Sequence, residues 1–127
     1  ALGALTGPQD VVTDLLASLT ATREAVLQAL NDLDGVDVTA PQGAFYFFPD
    51  FSAHNPDSAE LAAFLLEKAW VVTVPGSAFG LEGYLRMSYA GACEDIIEGI
   101  ERIRWALDPA APDEIIMGEK TFVRDWL

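Results

Sequence analysis

Val71-Val72-Thr73-Val74-Pro75-Gly76-Ser77-Ala78-Phe79-Gly80-Leu81-Glu82-Gly83-Tyr84-Leu85-Arg86-Met87-Ser88-Tyr89-Ala90 is the stretch whose reading decides this chain. A β-branched run opens it, glycines bound its middle, and residues 84–89 alternate between apolar and mixed positions with a period of two. The pattern predicts strand, loop, strand. Arg86 is set in the second strand, just beyond the glycine-bounded loop. A guanidinium on a rigid strand presents a planar fork that meets a carboxylate through two parallel hydrogen bonds. Read alone, Arg86 has two meanings: an exposed arginine paired with a neighbouring acid, or a cation placed to read a substrate.

Towards the amino terminus, Asp57 with Glu60 three residues on resembles a capping box. Leu61, Phe64 and Leu65 then supply the buried stripe of a helix to about Ala69. Before it, Val36-Asp37-Val38-Thr39 and Ala44-Phe45-Tyr46-Phe47-Phe48 read as neighbouring strands joined by Pro41-Gln42-Gly43. Earlier still, Gly7-Pro8 suits a helix start, and Val12, Leu15, Leu16, Leu19, Val26, Leu27, Leu30 and Leu33 recur every three or four residues. A helix over about residues 8–33 would span roughly 39 Å, with Gly35 placed to end it. A bend is expected at Thr20-Ala21-Thr22-Arg23, its least apolar part. So long a helix suits a bridge between two bodies.

Towards the carboxyl terminus, Ile96, Ile97, Ile100, Ile103 and Leu107 mark an amphipathic helix from about Cys93. The element order is then αββαββα. Pro109-Ala110-Ala111-Pro112 stops that helix and leads into a tail ending Phe122-Val123-Arg124-Asp125-Trp126-Leu127, apolar enough to dock on its own domain or on a neighbouring subunit.

A chain of 127 residues with 51% hydrophobic content suffices for one domain; at that size roughly two thirds of the unfolded surface is buried. Its net charge of −13 argues against nucleic acid and anionic membranes as partners. Neither a signal-like start nor an apolar run of about 18 residues is seen, so no membrane association is expected. The chain opens on Ala1 without an initiator methionine, as a processed chain or a fragment would. Cys93 is the only cysteine, which removes internal disulfides and makes a cytoplasmic address the expectation.

The other polar candidates have structural readings. His54 is a lone loop histidine, and one histidine with one cysteine makes no metal set. Cys93 reads as a small hydrophobe near a helix start, where Glu94 and Asp95 suit the helix dipole. Ser77 has no histidine and acid arranged around it as a nucleophile needs. Gly43, Gly76 and Gly80 read as shapers of backbone, and Phe45 and Phe79 as strand-end aromatics that serve either core or ligand.

Three motifs in order, Pro41-Gln42-Gly43-Ala44-Phe45-Tyr46, Val74-Pro75-Gly76-Ser77-Ala78-Phe79-Gly80 and Tyr84-Leu85-Arg86-Met87-Ser88-Tyr89, resemble the small carboxy-terminal domain of class I and II aminotransferases. These are fold-type I, pyridoxal-phosphate-dependent enzymes, and the likeness is to the aspartate aminotransferase type. It implies an α+β two-layer sandwich: a small, mainly antiparallel sheet with helices on one face and a long amino-terminal helix of the interdomain kind. It also implies a unit over residues 1–108 belonging to a larger enzyme, followed by a linker and tail over 109–127.

By that resemblance, the parent enzyme would transfer an amino group between an amino acid, aspartate-type favoured, and a 2-oxo acid. Arg86 would hold the substrate's α-carboxylate, with Phe79, Phe45 and Gly43 as further substrate contacts, and the domain would close as a lid within a homodimer. The cofactor would be pyridoxal phosphate. Its Schiff-base lysine, the acid on its pyridine nitrogen and its phosphate ligands belong in this family to the large domain, which is missing from these residues. Lys68 and Lys120 do not sit in the lysine motif, so the chain by itself is expected to be inactive, with no catalytic, cofactor-binding or metal-binding residue. Trp70 departs from the pattern, because relatives commonly carry glycine there. In a left-handed backbone that substitution costs about 1 kcal/mol or more. The alternatives are a non-catalytic amino-acid-binding module, an oligomerisation domain, and a pyridoxal-phosphate lyase or decarboxylase of the same fold.

Overall fold

The structure is a computed structural model and describes residues 1–126; Leu127, the last apolar residue expected in the tail, lies outside them. The single helix expected over 8–33 is two: α1 (Leu2–Thr6) and α2 (Asp10–Asn31). Gly7 is extended between them, and Pro8 offers no N–H to carry the ladder through. The expected bend at 20–23 is absent, and α2 is continuous there. Thr20 folds its hydroxyl back onto Leu16 O at 2.7 Å, and Thr22 is buried, so the polar residues are accommodated without breaking the helix.

α2 reaches the core from Leu19 onward and buries Val26 and Leu30 there, while Val11, Val12, Leu15 and Leu16 stay exposed. Helix α3 (Ser58–Ala69) starts as the sequence predicts, with Asp57 Oδ1 accepting from the N–H groups of Ala59 and Glu60 at 3.0 and 2.9 Å. Glu60 does not return the favour to Asp57 directly. Asn55 stands between them, taking the Asp57 N–H at 2.9 Å and donating to Glu60 Oε2 at 3.2 Å. The helix ends at Trp70, whose φ of 56° and ψ of 39° are left-handed, the conformation that glycine at this position suits.

The strands are shorter than their sequence patterns. The expected strand at 36–39 reduces to a bridge between Asp37 and Asp50, and the one at 44–48 to β1 (Tyr46–Phe47). Ala44 leaves the extended region at φ 57°, and Pro49 has no N–H to continue the ladder. The run at 71–74 contributes only β2 (Val74–Pro75), because Val71 spends its N–H on Leu65 O at 3.1 Å, closing α3. The run at 84–89 yields β3 (Leu85–Ser88), the central strand of an antiparallel sheet ordered β1-β3-β2.

α4 (Cys93–Leu107) completes an α+β architecture of the kind the resemblance implies. Phe47, Leu85 and Met87 point from one sheet face into a core shared with Val26, Leu30, Leu61, Leu65, Ile100 and Ile103 of the three long helices. The helices therefore cover one face and leave Tyr46, Arg86 and Ser88 on the other. Among the described residues no helix is long and apolar enough to cross a membrane.

The tail forms an element the sequence reading did not contain, a hairpin of β4 (Glu114–Met117) and β5 (Lys120–Val123) turned at Gly118, φ +59°. It folds back on the chain itself. Phe122 is buried against Trp70 and Trp105, with ring centroids 5.0 and 6.2 Å away. Arg124 is buried too, donating to the carbonyls of Trp105, Asp108 and Ala111, which closes the end of α4 with a cation where the helix dipole favours one.

Candidate substrate-carboxylate site

Arg86 occupies the middle strand with Leu85 and Met87 buried on either side, so the alternation sends its side chain out on the face the helices leave open. Its Cζ lies 4.5 Å from the ring centroid of Tyr46 and 4.7 Å from that of Phe79. Cation–π contacts of this kind contribute about 0.5–2 kcal/mol each, and they leave the N–H donors of the fork unspent. Among the described residues, the ion pairs use Lys68, Arg102 and Arg104, and no acid pairs with Arg86. In a chain with twenty acidic residues that is informative, because the neighbouring-acid reading of Arg86 finds no partner.

Phe79 is delivered by a 3-10 turn over Gly76–Phe79. Gly76 is required there by close approach, since a Cβ would stand 2.1 Å from Leu81 O and 2.7 Å from Tyr84 O. The loop is closed by Gly76 N–H to Tyr84 O at 2.7 Å, Leu81 N–H to Gly76 O at 3.0 Å and Gly80 N–H to Ser77 O at 3.1 Å. Phe48 meets Phe79 edge-on at 5.9 Å and Tyr84 at 5.2 Å, so the open face carries a row of rings beside the cation.

At the edge of that row, Asp50 accepts from Ser52 N–H at 2.8 Å. Hydrogen bonds from Ser52, and a further one from Tyr84, hold its carboxyl below the usual carboxylate range. The Asp50 charge, with some burial, in turn pushes the Tyr84 phenol up.

The structure brings Arg86 and Phe79 together and sets Phe45 one ring away, against Tyr46 at 4.5 Å. Gly43 stands apart from the cation, exposed in a cleft it shares with Leu16, Leu19, Arg23 and Tyr89. The strap from Gly43 to Phe45 is pinned by Tyr89, whose Oη donates to Ala44 O and whose N–H donates to Phe45 O, both at 2.9 Å. Tyr89→Phe is expected to cost about 1 kcal/mol, the net worth of one such bond, as read by urea denaturation. Amide exchange at residues 43–45 should quicken at the same time. Three residues of the site escaped the sequence reading: Tyr46, which was placed only as a strand residue, and Ser58 and Glu82, which brace the loop before Arg86.

Neither lysine fits a hold on an aldehyde cofactor. Lys68 pairs with Asp125 at 3.0 Å and Glu67 at 3.2 Å, and these bonds raise its pKa, the reverse of what an imine-forming amine needs. Lys120 lies in the hairpin, with Nζ 5.9 Å from the Trp70 ring centroid. His54 is exposed, its Nε2 2.7 Å from Asp34 O, and among the described residues no three metal-ligating side chains gather.

The family model described as aminotransferase class I and II matches residues 1–103. This chain belongs to that family. It is 46% identical over 113 residues to a probable aspartate/prephenate aminotransferase of Aquifex aeolicus, across 85% of this chain and 29% of that protein. It is 40% identical over 119 residues to an aspartate aminotransferase of Streptomyces avermitilis, across 87% and 29%. Among solved structures, the aspartate aminotransferase of Rhizobium meliloti superposes with a TM-score of 0.77 at 37% identity, covering 83% of this chain and 29% of that one. An alanine aminotransferase of Pyrococcus furiosus gives 0.75 at 32%, covering 80% and 27%. The chain thus spans less than a third of the length of these relatives. The family depends on pyridoxal phosphate.

Proposed function

We propose that this chain is the substrate-closing part of a pyridoxal-phosphate-dependent aminotransferase that moves an amino group between an aspartate-type amino acid and a 2-oxo acid. The observation that carries the reading is the fork of Arg86, flanked by Tyr46 and Phe79 and without an acidic partner among the described residues. A substrate α-carboxylate would accept from it in a bidentate pair, which fixes the plane and direction of the substrate. The half-exposed ring of Phe79 and the neighbouring ring of Phe45 would exclude water from that pair on closure, and the strap at Gly43 would border the substrate's approach. The names of the relatives favour aspartate as the amino donor.

The exposed Leu2, Leu5, Val11, Leu15 and Leu16 support a further body against α1 and α2, which in this reading is the large domain. Residues 1–108 then act as the moving unit, with 109–127 as linker and tail, of which Phe122 and Arg124 brace against α4. A homodimer and a cytoplasmic location complete the proposal, resting on the family and on the single cysteine.

Joined to an aminotransferase large domain carrying the cofactor lysine, this segment should support transfer from aspartate to 2-oxoglutarate, followed by coupled reduction of the oxaloacetate formed. The 127-residue chain with pyridoxal phosphate should give no turnover. Turnover by the chain alone, or a joined enzyme that ignores aspartate, would overturn the reading.

A further inference from the structure

Ser58 is the first residue of α3, and its side chain is fully buried although nothing in the sequence marks it for function. Its Oγ–H donates to Glu82 Oε2 at 2.8 Å, its backbone N–H donates to the same oxygen at 3.2 Å, and its Oγ accepts from Ser77 N–H at 3.0 Å. One buried hydroxyl thereby ties together two points of the loop before β3, 19 and 24 residues away in sequence. Ser77 lies inside the 3-10 turn that presents Phe79 to Arg86, and Glu82 lies where the loop returns to the sheet.

The Glu82 carboxylate is favoured where it stands, because the first N–H groups of α3 lack helical acceptors and the helix dipole attracts a negative charge. Asp57 takes two of those N–H groups and Glu82 takes that of Ser58. The bonds inside the loop close it on itself, but of the hydrogen bonds at its turn, the one that ties it to α3 passes through Ser58 Oγ.

We infer that Ser58 and Glu82 are positioning residues for the carboxylate site: they lock the 76–83 loop onto α3 so that Phe79 is held against the guanidinium of Arg86 before substrate arrives. This rests on the assignment of Arg86 to the substrate carboxylate. Without the lock the loop would have to be ordered as the substrate binds, and the ordering entropy would be charged to binding. The effect therefore falls on KM for both the amino acid and the 2-oxo acid, and kcat is largely spared.

The test compares Ser58→Ala, Glu82→Leu and Glu82→Gln, with Arg86→Ala as reference, in the enzyme that carries this segment. Ser58→Ala and Glu82→Leu should each raise KM for both substrates about three- to tenfold, what one net hydrogen bond is worth, with kcat within about twofold. Glu82→Gln keeps an acceptor oxygen and should stay close to the parent. Independently of activity, the Ser77 amide of the 127-residue chain should lose at least about tenfold of its protection against exchange in Ser58→Ala, since the hydroxyl that accepts from it goes, while that of Tyr89 is unchanged.

If Arg86→Ala raises KM and neither Ser58→Ala nor Glu82→Leu does, the positioning role is wrong and the carboxylate reading survives. If Arg86→Ala leaves KM unchanged, the carboxylate reading falls and this role falls with it. Glu82 is exposed, so Glu82→Leu decides the question should Ser58→Ala fail to fold.

Discussion

Arg86→Ala in the complete enzyme is expected to lower kcat/KM for aspartate and for the 2-oxo acid by about 10²–10³-fold, mostly through KM. Removing one partner of a desolvated, hydrogen-bonded charge pair costs about 2–5 kcal/mol, because the other charge is left unpaired. Arg86→Lys keeps the charge and loses the fork, so it should fall between, at about tenfold. Stability should fall by no more than the two cation–π contacts contribute, about 0.5–2 kcal/mol each. Arg86 lies on the open sheet face, where its guanidinium stands against the rings of Tyr46 and Phe79. Steady-state kinetics with both substrates varied, alongside a melting curve, would separate the outcomes. Unchanged KM values in a normally folded Arg86→Ala enzyme would refute the assigned role.

Phe122→Ala should destabilise the chain by about 3–5 kcal/mol, the usual cost of emptying a buried phenylalanine site. Phe122 is 3% exposed and is the buried residue of β5, set between Trp70 and Trp105 with the Arg102 guanidinium carbon 5.4 Å from its ring centroid. Its loss removes the anchor of the hairpin, and with it the alignment of Arg124 on the carbonyls at the end of α4. The left-handed Trp70 also depends on it. The strain of that backbone is offset by an aromatic contact that glycine could not make, at about 0.5–1.5 kcal/mol. Urea denaturation followed by tryptophan fluorescence would measure the change. A shift of under about 1 kcal/mol would mean that the hairpin is not integral to the domain.

The two kinds of element were not equally legible in the sequence. Helices α3 and α4 follow their apolar stripes, and Asp57 caps where its spacing says it should, because these signals act within a turn or two of the chain. Strand extents were overread. A run such as residues 36–39 has strand composition, but how much of it pairs depends on what lies opposite, and here only Asp37 finds a partner in Asp50. The hairpin at 114–123 was missed because its alternation is weak: Glu114, Ile115, Ile116 and Met117 set two isoleucines side by side. Its fully buried residue is Phe122, with Ile115 and Met117 partly buried, and the core they reach is distant in sequence.

The candidate site divides in the same way. Arg86 is legible because residues 84–89 alternate, and burial of Leu85 and Met87 alone dictates that Arg86 points out; the three spaced motifs named the family on local sequence. Its surroundings are not legible. Tyr46 flanks Arg86 only because β1 pairs with β3 in the register Tyr46 to Ser88, and a slip of one residue would bring the core-facing Phe47 to that face instead. Ser58 reaches Ser77 and Glu82 only once α3 has packed beside the loop. By itself, then, the sequence determined helices α3 and α4, the direction of Arg86 and the family, since periodicity and motif spacing are properties of neighbouring residues. Tertiary structure alone decided what flanks the cation, what holds the loop against it and where the tail goes, because those depend on register and packing between segments that the chain brings together only when folded.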